Sequence, residues 1–512
     1  MLMGKPPTSS GDENDAQNLE QYQSYWEQRS KGRGVRKLLS GIRGLDEVLE
    51  GGIPYGRPLL ISGSTGTGKT VMLNEFLYRG ITQFNQNGVF VTLEENPEDI
   101  IINVEGFGWD YRSLLEQNKL AFVNLVPKDF VEISPKYNFS PIIERIKYAI
   151  TKVDAKRVAI DNLGTIFHRF SNKSEIRYLM LQISNELKKL GVTSMISVEK
   201  DDQTNLYPIA GVQEYVADGL IDLSVELGQQ RLLRKLCVRK LRGVGYRSGI
   251  VGFDIKHNGI QVYPKIPLDP AYAKTDFKVR VAFGLESLDQ ALGGGIPQGH
   301  IMLIGGNTGT GKTILGLHFL VNGLQNNEST VLVALEEPTT QVYKTALNLG
   351  WDLSSYEQRK KLITINPNLI DIEPDLLLHQ IMDTVRSIQA KRLVIDSISS
   401  LESGTMNVNQ LREFLIQMVL FLKSLGVTTI FTYLTKKAFG ADQGQLLAEI
   451  ATSDVRLSSI VDGIILLRFV ERNQQVRKLL TILKLRGSPH QKDLFMYEID
   501  QDGFNLGGKF KA

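Results

Sequence analysis

The 512-residue chain reads as an α/β protein made of two tandem copies of one domain, each a doubly wound, mostly parallel sheet with helices on both faces. Three observations carry that reading. A glycine-rich pattern, Gly-x-x-x-x-Gly-Lys-Thr, occurs twice. Other distinctive residues recur at a nearly fixed distance. Short β-branched runs alternate with longer amphipathic stretches.

The repeat is legible directly. Residues 41–71 and 284–314 share one skeleton. Lys69 and Lys312 lie 243 residues apart, Glu94 and Glu336 242, Asp161 and Asp396 235, Asp218 and Asp462 244, and Lys240 and Lys484 244. Parallel spacing over this length means a duplication with small insertions. The boundaries follow: a polar extension over 1–34, expected to be disordered, a first domain over 35–262, a proline-bearing linker over 263–278, and a second domain over 279–512. In the first copy, 58–62, 88–93, 157–161 and 193–198 read as buried parallel strands. Residues 174–190 read as an amphipathic helix. Such alternation predicts helices on both sheet faces.

Composition narrows the function. Apolar residues make up 42% of the chain, enough for large cores. Lys and Arg number 59 against 56 Asp and Glu, a net charge of +3. That balance carries no signature of nucleic-acid binding. Cys237 is the only cysteine, which excludes an intrachain disulfide and a Cys-based zinc cluster. No apolar run approaches the ~18 residues of a membrane span, and the N-terminus lacks a signal-peptide core. A cytoplasmic location is expected.

Four motifs carry chemistry. The first is the phosphate-binding loop: Gly63, Ser64, Thr65, Gly66, Thr67, Gly68, Lys69 and Thr70 in one copy, and Gly306, Asn307, Thr308, Gly309, Thr310, Gly311, Lys312 and Thr313 in the other. Each follows an apolar strand and opens a helix. Glycines let the main chain wrap a phosphate, exposed N–H groups supply partial positive charge, the lysine reaches the outer phosphates and the threonine offers a hydroxyl to Mg²⁺. ATP and Mg²⁺ are therefore the expected cofactors. The second motif is a strand ending in paired acids, Glu94-Glu95 and Glu336-Glu337. Adjacent strand residues face opposite ways, so one acid of each pair, Glu94 and Glu336, is expected to take the proton of the attacking oxygen. A single Glu-Glu is as easily a solvated turn, but recurrence argues for the site. The third is an apolar strand ending in aspartate, Asp161 and Asp396, expected to hold Mg²⁺ with Thr70, Thr313 and Glu336. The fourth is Lys-Leu-Arg-Gly: Lys240, Leu241 and Arg242, and Lys484, Leu485 and Arg486. Lys-x-Arg on a strand puts both cations on one face. That is often a solvated edge, but here it also fits trans contacts to a neighbour's γ-phosphate.

The copies differ at one place. Aligned on Asp218 and Asp462, the second has Ser458-Ser459 where the first has Glu214-Tyr215. Taken alone, serines before a strand are turn residues.

With these motifs in hand, the chain resembles the KaiC family of tandem RecA-like P-loop ATPases over residues 35 to 505. The doubled Thr-Gly-Thr-Gly-Lys-Thr loops, the paired glutamates, both Lys-Leu-Arg-Gly strands and the segment 452–467 carry the resemblance. It implies a two-ring homohexamer with ATP between subunits, a slow ATPase ring from the first copy and an autokinase and autophosphatase ring from the second. The family's neighbouring phosphorylated serine and threonine fall on Ser458 and Ser459. Glu336 matches the residue activating the acceptor hydroxyl. Lys240 and Arg242, and Lys484, Arg486, Ser488 and His490, match residues reaching a neighbour's nucleotide. Three departures stand out: Ser459 replaces a threonine, Tyr246 replaces a histidine in the first copy, and the long tail that binds KaiA is missing after Asn505. KaiA regulation is therefore not expected, whereas a KaiB-like partner on the first ring is compatible. A clock-like or stress-signalling switch is the role these features imply. The same core also serves DNA-dependent recombinases and helicases, but the only stretch here that offers itself to a strand is the short one beginning at Phe167. A scaffold that uses ATP only for assembly is the other alternative, and the intact glutamates argue against it.

Overall fold

In the computed structural model the described residues are 23–26, 34–125, 140–164, 173–200, 217–227, 232–265, 276–368, 373–404, 406–435, 457–472, 474–501 and 503–510. They form two compact units that divide between Lys265 and Ile266.

In the first unit a short antiparallel pair, β1 (Lys37–Leu38) and β2 (Ile53–Pro54), precedes the main sheet. The sheet comprises β3 (Pro58–Gly63), β4 (Gly88–Thr92), β5 (Leu120–Asn124), β6 (Arg157–Asp161), β7 (Thr193–Glu199), β8 (Gly219–Leu227), β9 (Leu232–Leu241), β10 (Ile250–Lys256) and β11 (Gly259–Val262), in the order β11-β10-β9-β8-β3-β7-β6-β4-β5. The strands from β8 to β5 run parallel, and β9 to β11 add on as an antiparallel ribbon. The second unit repeats the arrangement. After the pair β12 (Asp276–Val281) and β13 (Ile296–Gln298), it contains β14 (Ile301–Gly306), β15 (Thr330–Ala334), β16 (Leu362–Ile365), β17 (Arg392–Asp396), β18 (Thr428–Leu434), β19 (Gly463–Arg472), β20 (Gln475–Leu485), β21 (Leu494–Asp500) and β22 (Gly503–Lys509). Their order is β16-β15-β17-β18-β14-β19-β20-β21-β22. The mostly parallel, doubly wound α/β class read from the sequence is what the chain adopts.

The central strands are apolar along their whole length because both faces are covered. Every residue of β3, β4, β14 and β15 is buried. Alternation then divides each strand between two cores. Ile61 and Phe90 point to the side of the helix Lys69–Phe84, while Leu60, Val89 and Val91 join Ile150 and Leu187 on the other face. In the second unit Met302, Ile304 and Leu332 share a core with Leu315 and Phe319, and Leu303, Val331 and Val333 pack with Ile381 and Met418. The helix Lys69–Phe84 buries Met72, Leu73, Phe76 and Leu77 on one stripe and stops at Asn85, whose left-handed φ of 52° ends the turn.

One buried cation anchors each phosphate-loop helix. Arg157, fully buried at the start of β6, donates to the carbonyls of Leu39 (2.7 Å), Ser40 (3.0 Å) and Phe76 (2.8 Å). Arg392 does the same in the second unit, to Ala282 and Phe319 at 2.8 Å each. Their guanidinium carbons sit 4.6 and 4.7 Å from the ring centroids of Phe76 and Phe319.

Two boundaries differ from expectation. Residues 23–26 form a helical turn inside the stretch read as disordered, and Trp26 is buried at 5% exposure against Gly51, whose added Cβ would lie 3.0 Å from the indole. An aromatic side chain on an otherwise polar segment found an apolar seat. At the other boundary, β12 begins at Asp276, inside the stretch read as linker, because Asp276 pairs with Gln298 of β13. The rest of the extension, residues 266–275 and the Phe167 stretch lie outside the described residues.

Candidate functional site

The phosphate loops sit between the ends of β3 and β14 and the helices Lys69–Phe84 and Lys312–Gln325. Gly66 and Gly68 have φ of 78° and 100°, and Gly309 and Gly311 have 78° and 90°, a region open to glycine and strained for other residues. Close approach adds a second demand. A Cβ on Gly68 would fall 2.8 Å from Ile255 Cδ1 of the ribbon, and one on Gly311 would fall 2.2 Å from Ile499 Cδ1. Over Gly66 there is open space, so the loop presents main chain outward, as close approach of a phosphate requires.

Both loop lysines are buried, at 8% and 6% exposure. Lys69 Nζ donates to the carbonyls of Gly63 and Ser64 at 2.7 Å each, and Lys312 Nζ to that of Asn307 at 3.0 Å. Burial pushes Lys312 down from the usual amine range, with Glu336 and Asp396 opposing.

The strongest convergence involves the aspartates. Thr70 Oγ1 donates to Asp161 Oδ2 at 2.6 Å, and Thr313 Oγ1 to Asp396 Oδ2 at 2.7 Å. The other carboxylate oxygen of each aspartate accepts from a hydroxyl on the next strand: Ser197 on β7 and Thr432 on β18. Each aspartate is thus fixed on both sides. Ser197 and Thr432 were not singled out from the sequence, although they lie 235 residues apart, the same offset as the two aspartates. The peptide bonds following the aspartates, Asp161–Asn162 and Asp396–Ser397, are both cis.

The paired acids depart from expectation in one respect. β4 ends at Thr92 and β15 at Ala334, so Glu94-Glu95 and Glu336-Glu337 lie on a bend after the strand rather than on it, and strand alternation does not sort them. The bend is made locally. Leu93 N–H donates to Asp161 O at 2.8 Å, Leu335 N–H to Asp396 O at 2.6 Å, and Thr92 Oγ1 to Glu95 O at 2.6 Å. Both acids of the first pair therefore feel Asp161. Burial, then Asp161 and Glu199, push Glu94 up from the usual carboxylate range, while Asn162 and Lys69 oppose. Burial, Asp161 and Asp99 raise Glu95. Burial and Asp396 raise Glu336, with Lys312 opposing. Glu337 lines a small cavity with Thr313 and Asp396. Coupling to the loop lysine distinguishes Glu94 from Glu95, and Glu336 is coupled to its own loop lysine, Lys312.

Three cations of the fourth motif, Lys484, Arg486 and Arg242, contact groups of their own unit. Lys484 Nζ donates to the carbonyls of Ser458 (2.6 Å) and Val461 (2.8 Å), and Arg486 to that of Ser459 (3.1 Å). Ser458 and Ser459 lie in a helical turn, Leu457–Ile460, rather than an irregular one, with Ser459 exposed. Arg486 also lies 3.5 Å from Asp462, whose oxygens accept from Lys423 at 2.8 Å and from Ile301 N–H at 3.0 Å. In the first unit Arg242 approaches Asp218 at 3.9 Å, and Lys188 pairs with the same carboxylate. A bulge between Leu220 and Ile221, matched between Ile464 and Ile465, breaks the regular alternation next to each lysine. Lys240 closes the regular strand with Leu241, and Arg242 falls just beyond it. Tyr246 donates to Arg239 O at 3.2 Å, and His490 Nδ1 sits 3.5 Å from Ser488 O. Glu214-Tyr215 lies outside the described residues.

Comparison with known proteins places the chain in a family. A family model described as "ATPase: KaiC" matches residues 38–266 and again 281–509. The chain is 35% identical to the circadian clock oscillator protein KaiC of Thermostichus vulcanus over 497 residues, covering 96% of this chain and 93% of that protein. It is 34% identical to the KaiC of Acaryochloris marina, covering 96% and 92%, and 33% identical to the circadian clock protein KaiC3 of Synechocystis, covering 93% of each. Two matched units, each with a complete phosphate loop and clamped aspartate, make this chain a member of the KaiC family of tandem ATPases.

Proposed function

We propose that both units bind ATP with Mg²⁺ and split it, and that the second also transfers the γ-phosphoryl group to Ser458 or Ser459. The observation that carries the reading is the doubled chain of loop lysine, loop threonine, aspartate and strand hydroxyl. The donor set fits Mg²⁺. Thr70 with Asp161, and Thr313 with Asp396, offer hard oxygens only, and Mg²⁺ prefers a few such ligands while keeping waters and phosphate oxygens. When bound, the ion would offset charge on the transferring phosphoryl group. Among the described residues no cluster of three or more His, Cys, Asp or Glu forms a separate metal site.

In hydrolysis the water oxygen bonds to the γ-phosphorus as its bond to the bridging oxygen breaks, ADP leaves, and Glu94 or Glu336 takes the water's proton. A serine hydroxyl in place of water gives phosphoserine by the same exchange of bonds. Which occurs depends on the oxygen placed in line. The cations Lys240, Arg242, Lys484 and Arg486 would stabilise a neighbouring subunit's nucleotide in a two-ring homohexamer, and Lys484 and Arg486 already tie the serine turn to that set. Phosphate there adds about −1.5 to −2 charge beside these cations, which supports a switch-like role.

Phosphosite mapping by mass spectrometry after incubation with ATP and Mg²⁺, with Glu336→Gln beside it, tests the reading. Phosphate on Ser458 or Ser459 that disappears in the variant is expected. Steady hydrolysis with neither serine modified would reduce the protein to a tandem ATPase.

A further inference from the structure

The two sites are alike in loop, lysine, threonine and aspartate, and unlike at the end of one strand. β3 and β7 run parallel with Gly63 opposite Glu199, and Lys200 N–H donates to Gly63 O at 3.2 Å. In the second unit the same register sets Gly306 opposite Leu434, and Thr435 N–H donates to Gly306 O at 3.3 Å. An apolar side chain thus occupies the second site's counterpart of a carboxylate. That carboxylate is engaged: Thr65 Oγ1, in the loop itself, donates to Glu199 Oε1 at 2.6 Å. The following residue, Lys200, pairs with Asp222 at 3.3 Å, a carboxylate that Arg239 also approaches at 3.4 Å. Thr308 stands in the second loop where Thr65 stands in the first, and it faces no such acid from position 434.

We infer that Glu199 is a positioning residue peculiar to the first site: through Thr65 it fixes the tip of the phosphate loop, a restraint that Leu434 does not supply in the second, so that the two units hold nucleotide with unequally braced loops. This rests on the reading of the first loop as an ATP site.

The test isolates each site in the full chain. With Lys312→Ala silencing the second loop, steady-state ATP hydrolysis is measured for Glu199→Gln and Glu199→Leu. Glutamine keeps an oxygen for Thr65, so KM and kcat are expected within about two-fold of the parent. Leucine, copying the second unit, removes the acceptor, and KM for ATP is expected to rise about three- to ten-fold. In the reciprocal background, with Lys69→Ala, Leu434→Glu is expected to lower KM at the second site. An unchanged KM in Glu199→Leu overturns the inference, as does a rise of equal size in Glu199→Gln. Absence of any first-site turnover in Lys312→Ala alone removes the reading of that loop as an ATP-splitting site, and the inference with it.

Discussion

Glu75 and His318 occupy the same place on the two phosphate-loop helices, and each accepts a main-chain N–H from the last strand of its own sheet: Ile260 to Glu75 Oε2 at 2.6 Å, and Phe504 to His318 Nε2 at 2.8 Å. The glycine before each donor, Gly259 or Gly503, leaves room for the incoming side chain, since a Cβ there would meet Glu75 at 2.4 Å or His318 at 2.4 Å. One architectural bond is thus made with an acid in one unit and a base in the other.

The two units should therefore answer pH oppositely. Burial pushes Glu75 up to about 7, against the pull of Ile260 and Arg79. With its folded value above the unfolded 4.5, its contribution is full below 4.5 and is lost as pH rises through about 7. Glu75→Gln keeps an acceptor without the charge. It is expected to stabilise the first unit at pH 8 by about 2–3 kcal/mol and to flatten the curve, followed by urea unfolding through Trp109 fluorescence. An unchanged midpoint at pH 8 would sink the idea.

Burial pushes His318 down to about 4. Its contribution is full above the ordinary 6.5 and is lost as pH falls through about 4. Trp351 lies edge-on to the imidazole, 4.5 Å between centroids, and its fluorescence should titrate there. His318→Gln should abolish that step while keeping an acceptor for Phe504. A step that persists in the variant would assign it to another group.

Removing the hydroxyl behind either aspartate should cost catalysis more than folding. Ser197→Ala and Thr432→Val leave Asp161 and Asp396 with one anchor in place of two. Turnover at the affected site is expected to drop about ten-fold, with little change in melting temperature. Equal rates would mean that the loop threonine alone suffices to aim the carboxylate.

Arg157→Met should act on stability instead. It leaves two buried carbonyls, those of Ser40 and Phe76, and the half-buried one of Leu39 without this donor, at about 1–3 kcal/mol for each buried group before relaxation, so the first unit should melt well below the second in calorimetry. A single unshifted transition would contradict this.

Much of the architecture was visible in the sequence because local pattern and tertiary role coincide there. The strands around residues 58, 88, 157 and 193 are apolar runs that end up covered on both faces, and the phosphate loops carry glycines whose φ demands them. The bend that carries Glu94 and Glu336 reads as a strand end, since its shape depends on its own Leu93 and Leu335 N–H groups donating to the carbonyls of Asp161 and Asp396 on a neighbouring strand, a pairing that no window of sequence contains. Ser197, Thr432 and Glu199 escaped notice for the same reason: a lone hydroxyl or acid at a strand end has no periodicity. The antiparallel ribbon was seen only through its Lys-Leu-Arg-Gly segment, and Trp26 found its seat through tertiary contact.

The contacts of Ile255 and Ile499 with Gly68 and Gly311 have a mechanical meaning. An aliphatic finger from the outer ribbon rests against the loop backbone at the one residue type that leaves no cushion between them. The ribbon therefore acts as a strut: displacement along β10 or β21 would reach the loop as a push on main chain. Truncating either finger to alanine would slacken that linkage without removing a single polar group from the site.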